Sequence, residues 1–329
     1  MKILIIQTAF IGDVILATSV PEKLKRFFPQ AQIDFLVRKG NESLLENNPV
    51  IHHILVWNKR ESKLRNLLSL IGRVRKRKYD LVINLHRFAS SGLITTFSGA
   101  RQTIGFEKNP LSFFFKKKFP HIIGSKEQAG IHEVERNLSL VAHLTDASFQ
   151  LPKLYPSKTD EQAIEKFCAE EFITISPASV WFTKQYPASG WIAFINSTKA
   201  VKIFLLGAST DASLCNLIQS SCASKSVENL AGKLSLLQSA ALMNRAVMNY
   251  VNDSAPLHMC SAMNAPVTAV FCSTIPEFGF GPLSDNSMVI EIDEQLYCRS
   301  CGLHGKRNCP EGHFRCAAID SINLLQRLA

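Results

Sequence analysis

The feature that most constrains this chain is a regular alternation of short, nearly all-apolar runs with longer amphipathic stretches. The runs Lys2 to Gln7, Gln32 to Val37, His53 to Val56 and Leu81 to Leu85 are strand-sized, and helical patterns such as Val14 to Phe28 and Leu64 to Arg77 lie between some of them. A strand without a polar face has to be buried on both sides, which is the condition of a parallel sheet covered by helices. The pattern pauses at Leu151 to Thr159, where Pro152 and Pro156 mark a linker, and resumes with Phe172 to Ser176, Val201 to Leu206, Ala246 to Asn252 and Val267 to Cys272. The expectation is an α/β protein of two doubly wound, Rossmann-like units, 1–155 and 156–329, each long enough to bury its own core. Ligands of open parallel sheets bind beyond the carboxyl ends of the strands, so two facing units would place a site in the cleft between them.

Several function classes drop out on composition. No stretch approaches the roughly 18 uninterrupted apolar residues of a membrane span, and Asp13 cuts the opening apolar run before a signal-peptide cleavage site. The nine cysteines are odd in number and five of them, Cys168, Cys215, Cys222, Cys260 and Cys272, are scattered, as expected of reduced thiols in the cytoplasm. The net charge of +10 is concentrated in the first half: Lys59 to Lys78 holds nine Lys or Arg against Glu61 alone, and Lys116, Lys117 and Lys118 follow the apolar segment Leu111 to Phe115. Such a surface is either a solvated helix face or an attractor for an anionic partner. Nucleic acid is not expected, because aromatic residues do not interleave with the basic ones and no zinc-finger or helix-turn-helix pattern is present.

Candidate chemistry sits after the strands. In TAFIGDV a carboxylate, Asp13, follows Gly12 in the first strand-to-helix turn, where it serves either as a favourable helix-end charge or as a base. In VNDSAPLHM, Asp253 or Ser254 can cap a helix from Ala255 to Met263 whose free N–H groups suit a phosphate, with His258 one turn in, either packed or functional. SPASVWFTKQYP places Ser179 and Lys184 in a loop after another strand. Near the end, CRSCGLHGKRNCPEGHFRC carries Cys298, Cys301, Cys309 and Cys316. Its C-x2-C opening suits a structural zinc, its later gaps are looser than common fingers, and free thiols or oxidation-formed disulfides are the competing readings.

Taken in order along the chain, the Gly12-Asp13 turn, the K-x-Y-P of Lys184 to Pro187, LAGKLSLLQSAALMNRA and NDSAPLHM with APVTAVF resemble the ADP-heptose:lipopolysaccharide heptosyltransferases, glycosyltransferase family 9. The resemblance implies a GT-B fold, with acceptor bound by the N-terminal unit and nucleotide sugar by the C-terminal one, and inverting transfer that requires no cofactor. It implies that Asp13 is the catalytic base, that Lys184 and Ser179 meet the donor phosphates, and that the Asp253-Ser254-Ala255 turn receives the diphosphate and sugar. GIHEVERNLSL contains the family's H-x-V-E-R pattern, which makes Arg136 an acceptor contact, with an intrahelical pair to Glu133 as the competing role, and Lys108 stands where a second basic contact is expected. The implied acceptor is an anionic Kdo-lipid A type glycolipid, which would bring the protein to the inner face of the inner membrane as a peripheral enzyme. Gln7, Ala255 and Tyr186 depart from the family's usual basic residue, glycine and tryptophan. Those departures keep two alternatives open: a transferase using another nucleotide sugar, and a catalytically weak sugar-nucleotide or glycolipid binding protein.

Overall fold

The computed structural model describes residues 1–59, 63–125, 130–198, 201–224 and 226–326. The chain divides into two compact units, Met1–Ile123 with Ile131–Tyr155, and Gly124–Gly130 with Pro156–Ala329. In the first, β1 (Lys2–Ile6), β2 (Gln32–Arg38), β3 (His53–Trp57), β4 (Leu81–Asn84), β5 (Gln102–Phe106) and β6 (Lys117–Phe119) form a parallel sheet in the order β3-β2-β1-β4-β5-β6. In the second, β7 (Phe172–Ser176), β8 (Lys202–Leu205), β9 (Val227–Asn229), β10 (Met248–Asn252), β11 (Val267–Phe271) and β12 (Ser287–Glu291) repeat the same winding as β12-β11-β10-β7-β8-β9. Each order reverses direction next to its first strand, at β1/β4 and at β7/β10. A crevice opens at such a switch point because the flanking connections leave to opposite faces.

Burial explains why the apolar runs became strands. Leu4 and Ile6 face α3 (Lys63–Lys76) and α4 (Ala89–Thr96) through a cluster with Leu67, Leu70, Val74 and Ile94. Ile3 and Ile5, turned to the other face by the two-residue period, are also fully buried. Each such side chain contributes about 1.5–3 kcal/mol relative to exposure. The second unit has an equivalent core around Ile173, Ile175, Trp191, Phe194, Leu205 and Tyr250, and the end of the chain joins it through Cys316, Ile319 and Leu324.

The long helix expected over Val14 to Phe28 is two helices, α1 (Ile11–Ala17) and α2 (Ser19–Phe27). The hydroxyls of Thr18 and Ser19 bond back to Ile15 O (2.7 Å) and Leu16 O (2.9 Å). Pro21 has no N–H to continue the ladder to Ala17, so the axis breaks between them. The edge strands β6, β9 and β12 were not legible as apolar runs, since an edge is only partly covered and tolerates Lys, Glu and Ser. The linker is irregular as far as Ser157, whose hydroxyl accepts the Asp160 N–H (3.1 Å) and starts α6 (Lys158–Glu165). It is pinned to the first unit by Lys153 N donating to Thr18 Oγ1 (2.9 Å) and Tyr155 OH to Glu22 Oε1 (2.9 Å).

Two histidines of the first unit are buried: His86, just after β4, and His121, edge-on to Phe106 at 4.6 Å. Burial, reinforced for His86 by Lys59 and Arg87 and for His121 by Arg87, Arg136 and Lys108, lowers each from 6.5 to about 3. Below pH 6.5 the unfolded chain therefore takes up protons that the folded protein refuses. Stability is fully present above that pH and declines as pH falls toward 3, by up to about 1.4 kcal/mol per pH unit for each histidine. Denaturant unfolding at pH 7.5 and 5.5 should show this loss, and a His86→Asn, His121→Gln double variant should flatten the slope; equal slopes in the two proteins would remove the histidines as its cause.

Candidate active site

At the first switch point three strand ends are tied together. Thr8, two residues past β1, has its Oγ1 3.1 Å from His86 Nδ1. Lys59, two residues past β3, donates Nζ to Thr8 O (2.7 Å) and Thr8 Oγ1 (3.1 Å) while riding over the Trp57 ring at 4.6 Å. Asn109 Nδ2 donates to His86 O (3.0 Å) and Phe88 O (3.1 Å), so the turn bearing exposed Lys108 is fixed to the loop after β4. Gln7, where a basic residue was the family habit, is buried and accepts the Ala9 N–H on Oε1 (3.2 Å), which shapes the turn.

Asp13 is the third residue of α1, not a turn residue ahead of it, and Gly12 is the second. Half-buried, its Oδ2 accepts the Phe10 N–H at 3.1 Å. The helix-end reading is thus part of its role, and the bond also fixes the carboxylate in place. On α5 (Glu133–Ser139), Glu133 is buried close enough to Asp13 to feel its charge. Burial raises the Glu133 carboxyl's pKa, Arg136 opposes that shift, and Asp13 adds to it.

Arg136 takes the competing role weighed for it. At 1% exposure, it donates Nε to Glu133 Oε2 (2.7 Å) and Nη1 to Ile122 O (3.2 Å) and Ile131 O. The guanidinium compensates a buried carboxylate and anchors the chain ahead of α5. His121 Nε2, 4.0 Å from Glu133 Oε2, completes the group.

The second switch point holds the donor candidates. Asn252, the last residue of β10 and fully buried, accepts the Tyr186 N–H on Oδ1 (2.9 Å) and donates Nδ2 to Pro177 O (2.8 Å), so one side chain joins the loops after β7 and β10. Between those anchors a single 3-10 turn, Phe182–Lys184, presents Lys184. Lys184 Nζ lies 2.6 Å from Asp253 Oδ2, which also accepts Thr274 Oγ1–H at 2.6 Å. Lys184 and Asp253, apart in sequence, are therefore partners. Ser179 is half-buried in the same loop, its carbonyl accepting Gln185 Nε2 (2.7 Å).

Ser254 stands at the N-cap of α10 (Ala255–Met263), but its hydroxyl turns to Asn252 O (3.4 Å), and the Asp253 carboxylate is engaged by Lys184 and Thr274. Neither side chain caps the helix as expected. Ala255, half-buried, is the first helical residue. His258 is buried with its ring 6.2 Å from Phe280, which fits the packed reading rather than a catalytic one. Tyr186, replacing the usual tryptophan, packs edge-on to Trp191 at 5.1 Å and donates its hydroxyl to Ile319 O (2.8 Å). A Cβ at Gly190 would come within 2.3 Å of that ring.

The four clustered cysteines are free thiols, and among the described residues no group of three or more His, Cys, Asp or Glu side chains is arranged to hold a metal ion. The four thiols are near enough that Cys316 feels the charges of Cys301, Cys309 and Cys298, while each has a contact of its own. Cys301 Sγ donates to Cys298 O (3.5 Å), Cys309 Sγ accepts the Phe314 N–H (3.4 Å), Cys298 Sγ lies 3.8 Å from His313 Nε2, and Cys316 is buried in the apolar core. Thr8, His86, Thr274 and Arg299 were not singled out in the sequence. His86 had a signal, its position directly after an apolar strand; Thr274 and Arg299 had none.

The family model for glycosyltransferase family 9 (heptosyltransferase) matches residues 67–308. The chain is 28% identical over 292 residues to lipopolysaccharide heptosyltransferase 3 of Escherichia coli, covering 84% of this chain and 85% of that protein. It is 25% identical over 295 residues to lipopolysaccharide heptosyltransferase 1 of Campylobacter coli, covering 83% and 84% respectively. Among solved structures, E. coli ADP-heptose LPS heptosyltransferase II is similar with a TM-score of 0.81 at 21% identity, over 100% of this chain and 97% of that one. A family 9 glycosyl transferase from Veillonella parvula gives 0.86 at 20% identity, over 99% and 96%. The structural likenesses carry the α/β GT-B fold, and the family match carries the rest: this chain belongs to glycosyltransferase family 9 and is a glycosyltransferase.

Proposed function

We propose that the protein is an inverting heptosyltransferase that moves heptose from ADP-heptose to the inner core of lipopolysaccharide, on a Kdo-lipid A type acceptor. The observation that carries the reading is the Lys184–Asp253 pair at the second switch point, a cation and a carboxylate held where a sugar diphosphate needs both. Lys184 supplies a point charge for the diphosphate, beside the N-terminus of α10. In transfer, the acceptor oxygen bonds to the anomeric carbon from the face opposite the diphosphate, the carbon–oxygen bond to phosphate breaks, and ADP leaves with the electron pair. The acceptor proton passes to Asp13, held by the Phe10 N–H, and charge developing on the leaving group is met by Lys184.

The first unit supports an anionic acceptor at a membrane surface. No helix of the described residues is long and apolar enough to cross a bilayer, yet α3 exposes Leu64 (69%) and Leu68 (61%) beside Arg65 and Arg73. Phe113 (68%) and Phe114 (56%) stand out just ahead of exposed Lys116, Lys117 and Lys118. Apolar tips ringed by cations suit the headgroup layer of an anionic bilayer, which supports a peripheral enzyme on the cytoplasmic side of the inner membrane. Arg60 and Glu61 of the basic stretch lie outside the described residues. Sedimentation with anionic vesicles should fall with salt and fall further in Phe113→Ser, Phe114→Ser, whereas neutral phosphatidylcholine vesicles should bind weakly throughout. Equal binding by the variant and the wild type would remove this surface.

Asp13→Asn keeps the size and the hydrogen bond from Phe10 while removing the base. It should fold and bind ADP normally but lose transfer by about 10²–10⁴-fold, read as ADP released from ADP-heptose in the presence of core acceptor. Activity falling only in step with folded protein would make Asp13 a helix residue and nothing more. A wild-type protein that binds ADP-heptose without releasing ADP would be the weak binding protein instead, and turnover of a different nucleotide sugar would identify the other transferase.

Lys184→Ala removes the diphosphate's partner and strands a buried carboxylate, costing about 3 kcal/mol of stability, the low end for a broken buried pair because Lys184 keeps some access to water. Adding Asp253→Asn should recover much of the stability but none of the ADP affinity. ADP titration calorimetry alongside thermal unfolding separates the two effects; unchanged ADP affinity in Lys184→Ala removes the residue from the donor site.

A further inference from the structure

The segment from Arg299 to Lys306, within the cysteine-rich tail, folds back over the donor loops and is bonded to them at each step. Arg299 donates Nε to Cys272 O (2.7 Å) and Nη2 to Thr274 O (2.8 Å), and pairs with Glu291 on β12. Cys301 N donates to Ser273 O (3.2 Å). Ser273 in turn donates its backbone N–H to Thr183 O (3.2 Å) and has its Oγ 2.9 Å from Thr183 Oγ1. Thr183, immediately before Lys184, donates N–H to Lys306 O (3.1 Å) and receives the Lys306 N–H on Oγ1 (2.8 Å). Gly305 lies so close that an added Cβ would sit 2.8 Å from Lys184 Cγ, and its φ of +74° is one that glycine adopts without strain.

The bonds close a circuit. Thr183 sets the backbone of Lys184, Arg299 sets that of Thr274, and the Thr274 hydroxyl and Lys184 ammonium meet on one Asp253 oxygen. Thr183, Ser273 and Thr274 are almost wholly buried, so each polar atom depends on these partners and not on water.

We propose that the segment Arg299–Lys306 is a brace of the donor site, and that Thr183 and Arg299 are positioning residues holding Lys184 and Asp253 in the geometry that receives a sugar diphosphate. The brace gives the tail a task that needs no metal. It rests on the reading of Lys184 and Asp253 as donor residues.

The test compares Thr183→Val, which keeps the shape and loses the hydroxyl, with Thr183→Ser, which keeps the hydroxyl, and with Arg299→Gln. ADP affinity is measured by calorimetry, and KM is measured separately for ADP-heptose and for the core acceptor. Thr183→Val should weaken ADP binding and raise the donor KM by about ten-fold, the scale of one buried hydrogen bond lost with its partners left unpaired. The acceptor KM should not move, Arg299→Gln should act in the same direction, and Thr183→Ser should restore most of the loss. If Thr183→Val folds poorly, Gly305→Ala probes the same contact from the tail side, and it too should raise the donor KM alone. Wild-type ADP affinity in these variants, or a fall in activity that tracks folded protein at unchanged KM, overturns the brace. Should Lys184→Ala also leave ADP affinity unchanged, the donor assignment itself has failed; if only Lys184→Ala weakens ADP, the assignment stands and the brace does not.

Discussion

A parallel sheet covered on both faces leaves polar chemistry one place to go, the carboxyl ends of its strands. Ile3 to Ile6 of β1 and Phe172 to Ser176 of β7 are buried along their lengths, so a charged side chain within them would be stranded without water or partner. Beyond the last strand residue the backbone leaves the sheet, N–H groups become available, and the strand order reverses nearby. Thr8, Asp13 and His86 in one unit, and Ser179, Lys184 and Asp253 in the other, all lie just past such ends. Two units with the same strand order thus acquire comparable sockets, and the side chains placed in them decide what each socket does.

Each socket handles the cost of buried charge in its own way. In the second unit Lys184 and Asp253 neutralise one another, with Thr274 satisfying the shared oxygen. Under the proposed function, a diphosphate would compete with Asp253 for the ammonium, exchanging one charge-assisted contact for another instead of creating a charge in an apolar setting. In the first unit Glu133 and Arg136 form the buried pair, while His86 and His121 remain neutral because several cations and burial act against protonation. Lys59, Arg87, Arg136 and Lys108 are the cations that bear on those rings, which is consistent with a socket tuned to an anionic partner.

The units and most interior strands were legible because burial on two faces leaves an unbroken apolar signature. The edge strands β6, β9 and β12 left none, unlike the edge strand β3, and neither did the break at Thr18, which depends on hydroxyls bonding back to the preceding turn. The candidate site was legible where a polar side chain follows a buried strand, as at Asp13, Lys184 and Asp253. It was illegible where a role depends on an encounter distant in sequence. That Arg136 would be buried against Glu133 was open from spacing alone, and only the packing of α5 closed the question. That Thr183 would meet Lys306 could not be seen at all, since nothing in either segment announces the other.

Asp13 shows how a structural and a chemical role can be the same contact. A carboxylate at the third position of a helix is favoured by the helix dipole and by the N–H it accepts, here from Phe10. Burial and the nearby Asp13 charge raise the Glu133 carboxyl, and Arg136, locked onto Glu133, opposes that shift. The carboxylate is therefore oriented by the fold itself. Tying it to the first turn of α1 also ties it to β1, the strand on which the whole first sheet is centred, so its position is as firm as the core itself. A carboxylate carried on a flexible loop would have to be ordered at each encounter, whereas this one is ordered by folding, as the base of the proposed transfer would need.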